Sequence, residues 1–254
     1  MTRIAIMNQK GGVGKTTTAL NLSAAIYRCG GNSMMLDMDP QAHLTSAHPA
    51  PVNNSEASLF GFYQNNLPLN QLLIEWDNVG KLICSHRELI KVETSFGKGP
   101  SILNRLKIGL SDLESDQPGL VTLIDSSPNL GVLTLSAIFA ADLVIIPISS
   151  DFLSINGAKK IEHTLNALEK VLKKRVERRY LLTKYDKRRQ MSSQVFNIAK
   201  TYFGEDVLDL VISENVDLAK SINEGKDIFS YNSKCTGALN YSELYQHLLS
   251  QQLI

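Results

Sequence analysis

The chain has 254 residues, 43% hydrophobic and 20% charged, with a net charge of +1. This length is ample for a substantial α/β core, and the balanced charge excludes a globally basic nucleic-acid binder, so any such site has to be a local patch. Cys29, Cys84 and Cys235 lie far apart without C-x-x-C spacing, which argues against a metal, iron–sulfur or disulfide framework and for a reduced compartment.

Arg3 to Met7 is a short apolar run suited to a buried parallel strand. No basic-then-apolar leader precedes it, and no apolar run reaches membrane-spanning length, so a cytoplasmic protein is expected. With the first strand at the very start, no preceding helix-turn-helix domain is expected. Gln9-Lys10-Gly11-Gly12-Val13-Gly14-Lys15-Thr16-Thr17 comes next. It is a phosphate-binding loop that departs from G-x-x-x-x-G-K-[ST]: Gln9 replaces the first glycine, and a second lysine, Lys10, precedes Lys15. Gly11, Gly12 and Gly14 let backbone N–H groups converge on phosphate oxygens, with Val13 and Thr17 in the same cradle. Thr16 to Tyr27 has apolar residues at helical spacing (Ala19, Leu22, Ala25, Ile26), so a helix N-terminus adds its partial positive charge. Lys15 then reaches the β- and γ-phosphates of a nucleoside triphosphate, and the Thr16 hydroxyl ligates Mg²⁺. The extra charge at Lys10 is left without a role in a single loop.

Ser33–Leu36 reads as the second strand and runs into Asp37-Met38-Asp39-Pro40-Gln41, two carboxylates that point the same way if the backbone stays extended. Residues 46–70, with Pro49, Pro51 and Pro68, read as loops and short helices beside the site. Lys81–Cys84, Leu120–Ile124, Leu143–Ile148, Tyr180–Leu182 and Val207–Ile212 are further strands, mostly separated by helix-length segments. That alternation predicts a single α/β domain over 1–254, a P-loop NTPase with a doubly wound, mostly parallel sheet and helices on both faces. Leu120–Asp125 has the form of an apolar strand ending in a Mg²⁺-holding aspartate, commonly through a water. Ser126–Gly131 follows as a turn-rich stretch able to move with γ-phosphate state.

Lys170, Lys173, Lys174, Arg175, Arg178, Arg179, Lys184, Lys187, Arg188 and Arg189 concentrate positive charge, opposed locally by Glu177 and Asp186. Such a segment could neutralise phosphates and bind DNA in a salt-dependent way. Near the C-terminus Tyr241, Leu244, Tyr245 and Leu248 form an apolar stripe without Lys or Arg beside it, which reads as core packing and not as a membrane anchor.

The segments N-Q-K-G-G-V-G-K-T-T-T, D-M-D-P-Q-A-H-L-T, L-I-D-S-S-P-N-L-G-V-L-T-L, L-T-K-Y-D-K-R-R and I-N-E-G-K-D-I, in this order along nearly the whole chain, resemble the ParA/MinD family of deviant-Walker ATPases, most closely its ParA (Soj-like) branch. The resemblance implies that Lys10 reaches across an ATP-sandwich homodimer to the partner's phosphates. It implies that Asp39 positions the attacking water, that Asp125 assists Mg²⁺ binding, and that Thr183 contacts the base. ATP favours the dimer and hydrolysis, stimulated by a ParB-like activator, dissolves it.

Members of this branch bind DNA without sequence preference, and Arg188 falls where they carry a DNA-contacting arginine. This chain has Ile212-Ser213-Glu214-Asn215-Val216-Asp217-Leu218 where relatives read I-P-R-N-V-R-L. Glu214 and Asp217 in place of arginines are a swing of about four charges per subunit, so weak, salt-sensitive, ATP-dependent binding through Lys184, Lys187, Arg188, Arg189 and Lys220 is expected. The resemblance implies DNA partition on the nucleoid. Positioning of a protein cargo, or a MinD-like membrane-associated role, is the alternative.

Overall fold

The computed structural model describes residues 1–95 and 99–254. In chain order the strands and α-helices are β1 (Thr2–Ile6), α1 (Lys15–Arg28), β2 (Asn32–Asp37), α2 (His43–Ser46), α3 (Leu59–Asn65), β3 (Leu73–Trp76), β4 (Gly80–Ile83), α4 (Ile90–Ser95), α5 (Pro100–Glu114), β5 (Leu120–Asp125), α6 (Val132–Ala140), β6 (Leu143–Ser149), α7 (Phe152–Leu172), β7 (Glu177–Tyr185), α8 (Gln190–Phe203), β8 (Val207–Ser213), α9 (Val216–Asn223), α10 (Ile228–Asn232) and α11 (Thr236–Ser250). The strands form an eight-stranded sheet in the order β3-β4-β2-β5-β1-β6-β7-β8. All neighbours are parallel except β3 and β4.

Side chains alternate across the sheet, and this divides the core into two layers. From β1, Ile4 and Ile6 join the layer built by α1, α10 and α11, while Ala5 and, just past the strand, Met7 join the layer under α3, α5, α6, α7 and α8. Burial on both faces is what the continuous apolar runs of a parallel sheet require, and it bears out the doubly wound reading. β1 lies between β5 and β6. The chain leaves it in one direction for β2 and returns on its other side with β6, so the crevice at the carboxyl ends of these strands is a topological switch point.

β3 is an addition to the expected strands. It is a four-residue edge strand whose partner is its sequence neighbour β4, reached through a turn with Asn78 at φ 62 and Gly80 at φ 125. Asp77-Asn78 is a turn signal that could have pointed to it. Residues 46–70 hold α3, with the Ser58 side chain accepting from Phe60 N as its N-cap.

The C-terminal stripe is spent on the core. Tyr241, Leu244 and Leu248 are buried against the α1 layer, and the Tyr241 hydroxyl lies 3.2 Å from Thr18 Oγ1. Among the described residues no helix is long and apolar enough to cross a membrane.

Candidate nucleotide-binding site

β1 ends at Ile6, and the glycine loop turns the chain into α1 directly above the carboxyl ends of β5 and β6. Gly12 (φ 74) and Gly14 (φ 92) hold the left-handed backbone that curls the loop, and Gly14 is the N-cap of α1. Val13 turns its side chain into the core, so only its backbone belongs to the cradle. The Val13 carbonyl accepts a hydrogen bond from Thr183 Oγ1 at 2.8 Å. Thr183, expected at the base, thus braces the loop from the end of β7 while lining the same cavity. Gly11, Gly12, Gly14, Lys15, Thr16, Thr17, Asp39, Thr183 and Lys184 all border this opening of about 850 Å³, whose far wall is the β8–α9 junction around Ser213–Val216.

Lys15 is buried and its ammonium donates to the Lys10 carbonyl at 3.2 Å. Burial lowers its pKa, against the opposing pull of Asp125 and Asp39. Thr16 Oγ1 donates to Asp125 Oδ2 at 2.7 Å, which places the two expected Mg²⁺ residues in contact. Asp125 is 1% exposed and its Oδ1 has no hydrogen-bond partner. Burial, then the neighbouring charge of Asp37, pushes the Asp125 carboxyl up to about 8. A buried, half-unsatisfied hard oxygen donor beside a threonine hydroxyl fits a divalent cation such as Mg²⁺.

Asp37 and Asp39 do not share a role. Asp37 is fully buried and accepts from Asp39 N (3.1 Å), Thr45 N (2.8 Å) and Thr45 Oγ1 (2.8 Å). Asp39 lies at the cavity edge, its Oδ1 accepting from Gln41 N at 3.0 Å. The backbone turns at Pro40 instead of staying extended, so the two acids face different groups.

Lys10 is paired within its own chain. Its Nζ donates to Asp151 Oδ2 at 2.6 Å, and its backbone N donates to Asn8 Oδ1 at 3.0 Å. Asp151 also accepts from Ser149 Oγ (2.6 Å) and caps α7 through Ser154 N (3.0 Å). Burial raises the Asp151 pKa, but the bonds from Lys10 and Ser149 outweigh it and hold the carboxyl below its ordinary value. The sequence signal for Asp151 was an acid between a strand end and an apolar helix start, an N-cap pattern.

The basic segment carries more internal counterions than its local sequence suggests. Arg178 is buried and pairs with Glu162 (2.8 Å) and Glu169. Arg175 pairs with Asp206 (2.6 Å), and Arg179 with Glu177 and Asp206. Arg188 contacts Asp186 at 3.0 Å, and its hydrogen bonds hold that carboxyl down at about 2. Arg189 lies between Asp186 (3.4 Å) and Glu214 (3.2 Å), tying the loop after β7 to the loop after β8. Lys184, Lys187 and Lys220 are exposed near that same end of the sheet. Asp217 accepts from Asn232 Nδ2 at 2.9 Å.

Sequence and structural comparisons agree with this geometry. The protein family described as AAA domain matches residues 1–178. The chain is 32% identical over 251 residues to the chromosome partitioning protein ParA of Caulobacter vibrioides, covering 98% of this chain and 94% of that one. Its fold is similar to the crystal structure of cobyrinic acid a,c-diamide synthase from Mycobacterium smegmatis with bound ADP and magnesium, with a TM-score of 0.81 and 27% identity over 99% of this chain and 96% of that one. Apo McdA of Cyanothece shares the fold at TM-score 0.86 and 20% identity, covering 98% of this chain and 99% of that one. Fold and site define a P-loop ATPase. The chain belongs to the ParA/MinD family, on its ParA (Soj-like) branch of partition ATPases.

Proposed function

We propose that residues 1–254 form one Mg²⁺-dependent ATPase domain whose two copies enclose ATP, acting in the cytoplasm on the nucleoid to partition DNA with a ParB-like activator. The observation that carries this reading is the orphaned Asp125 Oδ1 beside Thr16, under a glycine loop with two lysines. Backbone N–H groups of Gly11 to Thr17 receive the phosphates, and Lys15 exchanges the Lys10 carbonyl for phosphate oxygens. Thr16 and Asp125 would hold Mg²⁺, which would supply neutralising charge to the phosphates. Asp39 orients the attacking water from the cavity edge. Lys10 leaves Asp151 to reach the phosphates bound by the other copy, where it balances charge that develops on the transferred group.

DNA binding in this reading is weak and salt-sensitive. Lys184, Lys187 and Lys220 stay available to phosphates, whereas Arg188 and Arg189 have to exchange carboxylates for them. The internal pairing of the basic segment is also the specific observation that favours a protein cargo as the second reading. The MinD-like reading loses its support because the C-terminal stripe is buried.

Two measurements test the proposal. Light scattering of D39A with ATP is expected to give a dimer, and K15A is expected to bind no nucleotide and remain monomeric. Filter retention of DNA at low salt is expected with ATP and not with ADP. A monomer with ATP would overturn the role of Lys10, and ATP-independent or absent retention would favour the protein cargo.

A further inference from the structure

Ser85 is 1% exposed, lies two residues beyond β4, and does not border the nucleotide cavity. The parallel register of β4 with β2, Leu36 opposite Ile83, carries it to the level where β2 gives way to the Asp39 loop. There it touches both ends of that loop. Ser85 Oγ donates to the Asp39 carbonyl at 2.7 Å, and Ser85 N donates to Thr45 Oγ1 at 2.8 Å. Thr45 Oγ1 in turn donates to Asp37 Oδ2 at 2.8 Å, and Asp37 Oδ1 accepts from Asp39 N at 3.1 Å.

Each hydroxyl has one proton, and this fixes every direction in the ring. A carbonyl only accepts, so Ser85 gives its proton to Asp39. An ionised carboxylate only accepts, so Thr45 gives its proton to Asp37 and takes the Ser85 N–H with a lone pair. The peptide on each side of Asp39 is thus gripped, its N–H by Asp37 and its carbonyl by Ser85 together with Ala42 N at 2.8 Å. With the backbone of Asp39 held on both sides by buried groups, its carboxyl is aimed into the cavity by residues that never meet the nucleotide. Satisfied buried polar networks of this kind rigidify what they hold.

We infer that Ser85, acting through Thr45 and the Asp39 carbonyl, is a positioning residue for ATP hydrolysis. The inference rests on the reading of Asp39 as the residue that orients the attacking water. It requires that loosening the ring cost turnover and leave ATP binding intact, because the glycine loop and Lys15 are held by other contacts.

The test compares S85A, T45V, T45S and D39A in the full chain, measuring Mg²⁺-ATP affinity and single-turnover hydrolysis for each. Ser85→Ala leaves the Asp39 carbonyl its bond from Ala42 N, so the protein is expected to fold. Turnover of S85A and T45V is expected to fall about tenfold with ATP affinity within about twofold of wild type, since a small misplacement at a reacting centre costs rate and not binding. T45S keeps the bridging hydroxyl and is expected to restore the rate, which a loss of packing would not allow. Wild-type turnover in S85A, or a loss of affinity that matches the loss of rate, overturns the inference, as does a T45S that behaves like T45V. Wild-type turnover in D39A overturns the underlying reading of Asp39 and this inference with it. If D39A is inactive and S85A is not, only the role of Ser85 falls.

Discussion

Asp37 and Asp125 stand side by side at the ends of neighbouring parallel strands, are directly opposite each other in register, and are both buried. Burial raises both carboxyls, Asp37 to about 6 and Asp125 to about 8. Their partners separate them. Asp37 receives three hydrogen bonds on its two oxygens, whereas Asp125 receives one, from Thr16, and keeps Oδ1 unpaired. A carboxylate whose acceptor sites are used by its own fold is part of the fold. One left incomplete at the floor of a cavity is a place for a cation. Satisfaction, not burial or strand position, distinguishes the structural acid from the functional one.

Substitutions can break that contrast. Asp125→Asn is expected to reduce Mg²⁺-dependent ATP turnover by about a hundredfold or more, in line with removal of a metal-side charge from a phosphoryl-transfer site. The same change removes the charge that this buried carboxyl takes on as pH rises through about 8, so at pH 8 and above the nucleotide-free protein is expected to melt about 2–4 °C higher, the shift that about 1 kcal/mol gives at this size. Turnover assays and calorimetry on one preparation decide it. A variant both inactive and less stable would make Asp125 structural too.

Asp37→Ala is expected to lower stability instead. It orphans the Thr45 N–H and the Asp39 N–H inside the protein, a cost of roughly 2–4 kcal/mol. Denaturant unfolding should register that loss, and D37N, which keeps one acceptor, should recover part of it. Unchanged stability in D37A would remove the distinction drawn between the two acids.

A further effect appears with pH. Both carboxyls bind their protons more tightly in the folded chain than at the ordinary value of 3.8, so folding takes up protons. Stability of the nucleotide-free protein is then greatest on the acid side and falls as pH rises through about 6 and on to about 8. The slope is at most about 1.4 kcal/mol per pH unit for each group. Buried Lys15 works in the other direction, because its lowered pKa makes the unfolded chain the better proton binder and returns stability toward higher pH, below 10.5. Melting curves between pH 6 and 8 with and without Mg²⁺-ATP check this. Mg²⁺-ATP is expected to flatten the fall, because a cation beside Asp125 would favour its ionised form.

Much of the fold and the centre of the site were legible because their signals are contiguous. Lys10 to Thr17 and Leu120 to Asp125 each announce strand, loop and role within a dozen residues or fewer, and the apolar runs mark strands buried on both faces. β3 escaped because an edge strand paired only to its hairpin neighbour needs no long apolar run. The partners that decide electrostatics escaped for a different reason. Asp151 sits 141 residues from Lys10, and Arg178 finds Glu162 and Glu169 only when α7 packs along β7. A local count of Glu177 and Asp186 against the basic segment cannot see Glu162, Glu169, Asp206 or Glu214. Ser85 was invisible for the same cause, since nothing near it in sequence suggests that its hydroxyl belongs to a loop that begins 46 residues earlier.

The bonds that close the site join residues far apart in the chain: 109 residues from Thr16 to Asp125, 141 from Lys10 to Asp151 and 170 from Val13 to Thr183. On a ribosome adding roughly 5–20 residues per second, the glycine loop emerges many seconds before the strands that shape it. Until β7 has docked, the loop lacks the bond from Thr183 that braces it. ATP is then a late ligand that reports a finished sheet. Because it engages only that state, at a hundred times its dissociation constant it adds about 2.7 kcal/mol against global unfolding, shared by all eight strands.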